Sequence, residues 1–106
     1  MKILQYILFS PLFLYSQSSD ILLNIQLEAE SYFKISDYSN SIIKYEDLLA
    51  EQEMLLGKEH YSVGETLNKL GELYSLIGMP DISDYYFQEA IIIFQKSFQA
   101  EKNILE

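Results

Sequence analysis

Side chains that could do chemistry are few in these 106 residues, and their spacing does not bring them together. His60 is the single histidine and cysteine is absent. A site built on two imidazoles, a thiolate nucleophile, a disulfide and a Cys-ligated metal are therefore all excluded. Carboxylates come in pairs, Glu28/Glu30, Glu51/Glu53 and Asp81/Asp84, which in principle could hold a cation or exchange protons. On amphipathic helices, acids at such spacing form a solvated face, and Asp81 and Asp84 fit the first turn of a helix, where the dipole favours negative charge. Four glycines stand seven apart, at 57, 64, 71 and 78. None lies in a G-x-G-x-x-G, a G-x-x-x-x-G-K-[ST] or a G-x-S-x-G pattern, so neither a phosphate cradle nor a nucleophile elbow is expected. The reading is a protein without catalytic residues, cofactor or metal.

Charge narrows the partners. Sixteen Asp and Glu face seven Lys, no Arg occurs, and the formal charge is −9. A surface of that sign repels phosphates, which argues against nucleic acid and against anionic lipid. Nine Tyr and six Phe are numerous enough to stack bases, but they stand without clustered cations and fall mostly on apolar stripes, so a core role is expected.

These residues must be positioned by helices, because Pro and Gly are scarce. The first stretch is an exception. One Lys at position 2, an apolar run over residues 3–15 and the small residues Ser16 and Ser18 have the order of a signal peptide. The run is shorter than the ~20 residues that span a bilayer. Residues 1–18 are therefore expected to be an export leader cleaved after Ser18, with cleavage after Ser16 the alternative. The mature chain would be secreted or periplasmic, with no membrane contact beyond that leader.

From Asp20 onward apolar residues recur every three or four positions, which marks one face of a helix. Ile21, Leu22, Ile25, Ala29, Tyr32 and Phe33 give a first helix; Tyr38, Ile42, Tyr45, Leu48, Leu49 and Leu55 give a second. Val63, Leu67, Leu70, Tyr74 and Ile77 give a third; Ile82, Phe87, Ala90, Ile91, Phe94 and Phe98 give a fourth. Asp37 suits the N-cap of the second helix, and Ser62 with Glu65 reads as a capping box for the third. Gly57 and Gly78 suit left-handed helix ends, and Pro80 the first position of the fourth helix. Gly64 costs the third helix ~1 kcal/mol or less.

The chain also echoes itself. A shift of 42 positions lays Ala29 on Gly71, Tyr32 on Tyr74, Ser36 on Gly78, Ser41 on Ser83 and Tyr45 on Phe87. Small residues meet small ones and aromatics meet aromatics, as required where paired helices touch. Leu67-x-x-Leu70-Gly71-x-x-Tyr74, followed by Ser83-x-x-x-Phe87 and Ala90, resembles the tetratricopeptide repeat pattern. Leu56-Gly57-Lys58-Glu59-His60 and the start Thr66-Leu67-Asn68-Lys69-Leu70-Gly71 are similar to the longer-period members of that family found in kinesin light chains. Leu67 stands where the pattern has Trp, and its late Pro is missing.

The resemblance implies an all-α domain over residues 19–106. It would hold two tandem helical hairpins, repeat 1 over about 22–57 and repeat 2 over about 62–100, in a short α-solenoid of four antiparallel helices. It implies a protein-interaction scaffold, with a peptide or partner protein in the groove lined by the first helix of each repeat. Leu23, Gln26, Glu30 and Phe33 would line it from repeat 1, and Glu65, Asn68, Glu72 and Ser75 from repeat 2. Asn68 matches the family Asn that bonds a peptide backbone. The basic residues of the family's carboxylate clamp are replaced by Glu30 and Glu72, so a neutral or basic segment is expected. His60 would order the inter-repeat turn. Two repeats leave apolar surface at the ends, so self-association, a docked partner or further repeats are expected. A sensor segment of a larger signalling or protease chain, and a small helical ligand-binding domain, are the other two readings.

Overall fold

The computed structural model describes residues 11–105, with side chains from Gln17 onward. The described residues form four helices and no strand: α1 (Pro11–Lys34), α2 (Tyr38–Leu56), α3 (Tyr61–Leu76) and α4 (Pro80–Leu105). Of the leader read over residues 1–18, positions 1–10 lie outside the described residues. Positions 11–18 are the first turns of α1, so that helix runs across both expected cleavage points.

Each helix packs on its neighbours in sequence, α1 on α2, α2 on α3 and α3 on α4; no other pair of backbones comes close among the described residues. A closed four-helix bundle would also join the first helix to the last. The Cα radius of gyration is 16.8 Å, against the ~13 Å of a globular domain of about 100 residues. The molecule is an open slab, 18 Å thin in its shortest Cα dimension. This is the all-α fold of tandem hairpins expected from the 42-residue echo.

The core lies in two overlapping parts. Ala29, Ile42, Tyr45, Leu48, Leu70 and Leu73 bury where α1, α2 and α3 meet, and Val63, Leu67, Ala90 and Ile93 bury between α3 and α4. Leu49 touches both and joins the hairpins. Ile93 was absent from the apolar stripe read for the fourth helix, whereas Ile21, Leu55, Ile77, Ile82, Ile91 and Phe98 on those stripes are exposed. The stripes assume that every helix has neighbours on one broad face. The end helices, which carry Ile21, Ile82, Ile91 and Phe98, have them on one side only, and α4 leaves Phe98 68% exposed. Leu55 and Ile77 stand at the last turn of α2 and the C-cap of α3.

Small residues seat the hairpins. The Ser41 hydroxyl donates to the Ala29 carbonyl at 2.9 Å, and the Ser83 hydroxyl donates to the Gly71 carbonyl at 2.6 Å; both bonds are buried. A Cβ on Gly71 would come within 2.7 Å of the Phe87 ring, so the close approach there needs glycine. Gly64 also faces α4, with Phe94 where its Cβ would be. It is a packing position rather than a mere weakness of the helix.

Both hairpin turns close in the same way. The Ser36 N–H donates to Phe33 O and the Asp37 N–H to Tyr32 O; 42 residues on, Gly78 N–H donates to Ser75 O and Met79 N–H to Tyr74 O. The paired bonds form a Schellman motif, which requires a positive φ at its turning residue. Gly78 has φ 81°, and Ser36, a residue with a Cβ, is held at φ 62°. Gly57 also has a positive φ, 92°, but its ψ of 152° is not the left-handed helical geometry expected there.

The caps differ in one place from the sequence reading. Asp37 caps α2 through its carboxylate, as expected. For α3 the cap is His60, not Ser62: its Nδ1 accepts from the Ser62 N–H at 3.1 Å, and its carbonyl accepts from Val63 and Gly64. The ring nitrogen takes the acceptor role of a side-chain oxygen, two residues earlier than the capping box predicts. Pro80 opens α4, with Asp81 in the first turn. Asp84 falls one residue beyond that turn.

Candidate functional site

One face of the slab carries a cavity of about 440 Å³ between α1 and α3, with α2 as its floor. Gln26 and Glu30 reach it from α1, and Glu65, Asn68 and Glu72 reach it from α3. Five of the eight residues assigned to the groove therefore line one concavity. The other three do not. Phe33 sits one turn beyond Glu30, packed on Tyr38 with ring centroids 5.8 Å apart. Ser75 is exposed and, like Leu23, outside the cavity lining.

The α3 side follows from helical spacing. Tyr61, Glu65, Asn68 and Glu72 are three or four residues apart and so share a stripe. Gln26 and Glu30 stand in the same relation on α1, where the Gln26 amide donates to the Glu30 carboxylate at 3.1 Å. That bond spaces the two side chains along the rim and leaves the Glu30 carboxylate with further acceptor capacity.

The floor is half polar. Gln52 is buried at 6% exposure, and its Oε1 accepts from the Thr66 hydroxyl at 2.6 Å, tying α2 to α3 below the cavity. Tyr45, 4% exposed, lines the same floor about two turns earlier on α2. Burial first, then the charges of Glu30 and Glu72, push the Tyr45 phenol up to about 12. Leaving both carboxylates ionised next to a third negative charge is unfavourable, so the phenol stays a neutral donor at ordinary pH.

Lys69 is the cation of this site. Its ammonium lies 3.3 Å from a Glu72 oxygen and 4.2 Å from the centroid of the Phe33 ring, bridging α3 to α1. At the other end of the cavity the rings of Tyr61 and Phe94 meet at 5.1 Å and 47°.

Tyr45 and Phe94 pack in the core, as their period predicts, and line the cavity as well. The floor residue Gln52 and the cation Lys69 are what sequence reasoning missed, Lys69 entering it only as part of a helix start. The 42-residue echo held a signal, because it sets Leu27 in place of Lys69 and so marks that cation as particular to repeat 2. Nothing comparable marks Gln52.

The carboxylate pairs examined for chemistry do not converge. Glu28 pairs with Lys44 at 3.0 Å, on the partly exposed α1–α2 surface. Among the described residues no three His, Cys, Asp or Glu come together as a metal site, and no helix is long and apolar enough to cross a membrane. No known protein-family model matches the chain, and no curated protein matches it in sequence.

Proposed function

We propose that this chain is an exported tetratricopeptide-type scaffold that holds a neutral or basic peptide segment of another protein in the groove between α1 and α3. The observation that carries the reading is the single concavity to which both first helices contribute: Gln26 and Glu30 from one hairpin, Glu65, Asn68 and Glu72 from the other. A cavity of about 440 Å³ holds a few side chains, the size of a short linear segment rather than of a folded domain. The cavity opens to solvent, and for main-chain recognition the Asn68 amide on its rim offers both a donor and an acceptor. Three carboxylates against one lysine set the preference away from acidic ligands.

The repeated Ser-to-carbonyl bonds and the paired Schellman turns support the kinship with tetratricopeptides, because they repeat at the same 42-residue offset as the sequence pattern. The reading gives the protein no catalytic role.

An array of immobilised peptides, neutral, basic and acidic, probed with the purified chain tests the binding. Neutral or basic peptides are expected to bind best, and Asn68→Ala to weaken them about tenfold, the loss of one or two peptide hydrogen bonds. Strongest binding to peptides with acidic C-termini overturns the proposal. Export is tested separately by fusing residues 1–18 to a phosphatase that is active only outside the cytoplasm.

A further inference from the structure

We infer that the groove reads two side chains of one extended segment: an apolar side chain laid on Tyr61 and Phe94 at one end, and a Lys or Arg received by Glu30, Glu72 and the Tyr45 hydroxyl at the other. The inference rests on the groove reading above and specifies its ligand.

The basic end is built from three elements. Glu30 comes from α1, Tyr45 from α2 and Glu72 from α3, and all three line the same cavity. The Tyr45 ring is all but buried, yet its hydroxyl has no hydrogen-bond partner among the described residues. No fully buried side-chain polar atom there lacks a partner, so the phenol oxygen is the part of Tyr45 that opens onto the cavity. A neutral phenol oxygen beside two carboxylates is an acceptor set for an ammonium or guanidinium.

The chain already places a cation there. Lys69 is held between the Glu72 carboxylate and the face of Phe33, two features that both favour positive charge. The Lys69 side chain is one third exposed and that of Glu72 nearly half, so the pair is worth little and can be exchanged for a better one. Lys69 thus acts as an internal competitor for the position that a ligand cation would take.

The other end is apolar and open. Tyr61 is 55% exposed although it packs on Phe94, and both rings line the cavity. Tyr61 and Glu72 stand eleven residues apart on α3, about 16 Å along a helix that rises 1.5 Å per residue. An extended segment covers that distance in about five residues. The ligand is then an apolar residue and a basic residue roughly five positions apart.

Fluorescence anisotropy with the full chain tests this. The probe is a labelled peptide carrying Phe and Arg five positions apart in a Gly/Ser background, made in both orders. The better order is expected to lose roughly tenfold in affinity when its Arg becomes Gln, and as much when its Phe becomes Ala. Bringing the two residues within two positions of each other loses a similar amount. On the protein side, Glu30→Gln with Glu72→Gln weakens binding about tenfold, while Lys69→Gln tightens it severalfold. Affinity indifferent to spacing, or unchanged in the double Gln variant, overturns the two-point inference and leaves the groove reading standing. Absence of binding by every peptide, or tightest binding when the Arg is replaced by Glu, overturns both. If the double variant fails to fold, as circular dichroism would show, the peptide substitutions and Lys69→Gln still decide.

Discussion

The Ser83 hydroxyl donates to the carbonyl of Gly71 across the α3–α4 contact at 2.6 Å, in a spot where both residues are buried. Ser41 does the same to Ala29 across the α1–α2 contact. Each hairpin is thus latched by a buried hydrogen bond from a small side chain on its second helix to a carbonyl on its first. Ser83→Ala is expected to destabilise the protein by about 1 kcal/mol, the net worth of one neutral buried hydrogen bond. Ser41→Ala should cost about the same. Urea unfolding monitored by circular dichroism gives both numbers, and an unchanged midpoint in either variant contradicts the latch.

The two turns predict opposite signs for one substitution. Ser36 and Gly78 hold the same place in the Schellman motif, each with a positive φ. Left-handed backbone costs a residue with a Cβ about 1–2 kcal/mol and costs glycine almost nothing. Ser36→Gly should therefore stabilise by about 1 kcal/mol, and Gly78→Ala should destabilise by a similar amount. Thermal midpoints moving up for the first and down for the second is the expected result.

Gly71→Ala tests the closeness of the second hairpin. Alanine is the better helix former by ~1 kcal/mol, so on an open surface the change would stabilise. Here the new methyl meets three atoms of the Phe87 ring within 3.0 Å, so the ring must move as a whole. Overpacking of this kind costs about 1–3 kcal/mol. Net destabilisation is expected, and the double variant with Phe87→Leu should recover part of it.

Alkaline conditions should weaken the fold through its tyrosines. Burial is the first cause that lifts Tyr45 and Tyr74 from 10.0 to about 12; the bond from the Tyr74 hydroxyl to Glu46, 2.8 Å long, adds to the second. Burial also raises Tyr86, which stacks on Tyr74 at 5.4 Å. A raised phenol keeps its proton in the folded state after the unfolded chain has lost it. Stability is then constant below about pH 10 and falls as pH rises from about 10 to about 12. Melting temperatures measured across that window should drop, and Tyr45→Phe should drop less steeply. The phenolate absorbance of the folded protein should lag behind that of the urea-unfolded chain.

Much of the fold was legible before any coordinate. The Asp37 cap, the Pro80 helix start and the alignment of Ala29 with Gly71 are local or periodic features, and each is written in residue type and spacing. The candidate rims were legible through the resemblance to tetratricopeptides, which implies Gln26, Glu30, Glu65, Asn68 and Glu72 as groove residues. The same resemblance implies Leu23, Phe33 and Ser75, which do not line the cavity.

Sequence by itself determined the helices, their order and their pairing, because hydrophobic period, caps and an internal echo act within a few residues or repeat at a constant offset. Tertiary structure alone decided what lies inside the groove: the Tyr45 hydroxyl, the Thr66–Gln52 bond beneath it, and Lys69 drawn across to Phe33. Those contacts join three different helices, and no spacing along one chain encodes the distance between side chains that meet only after the hairpins stack.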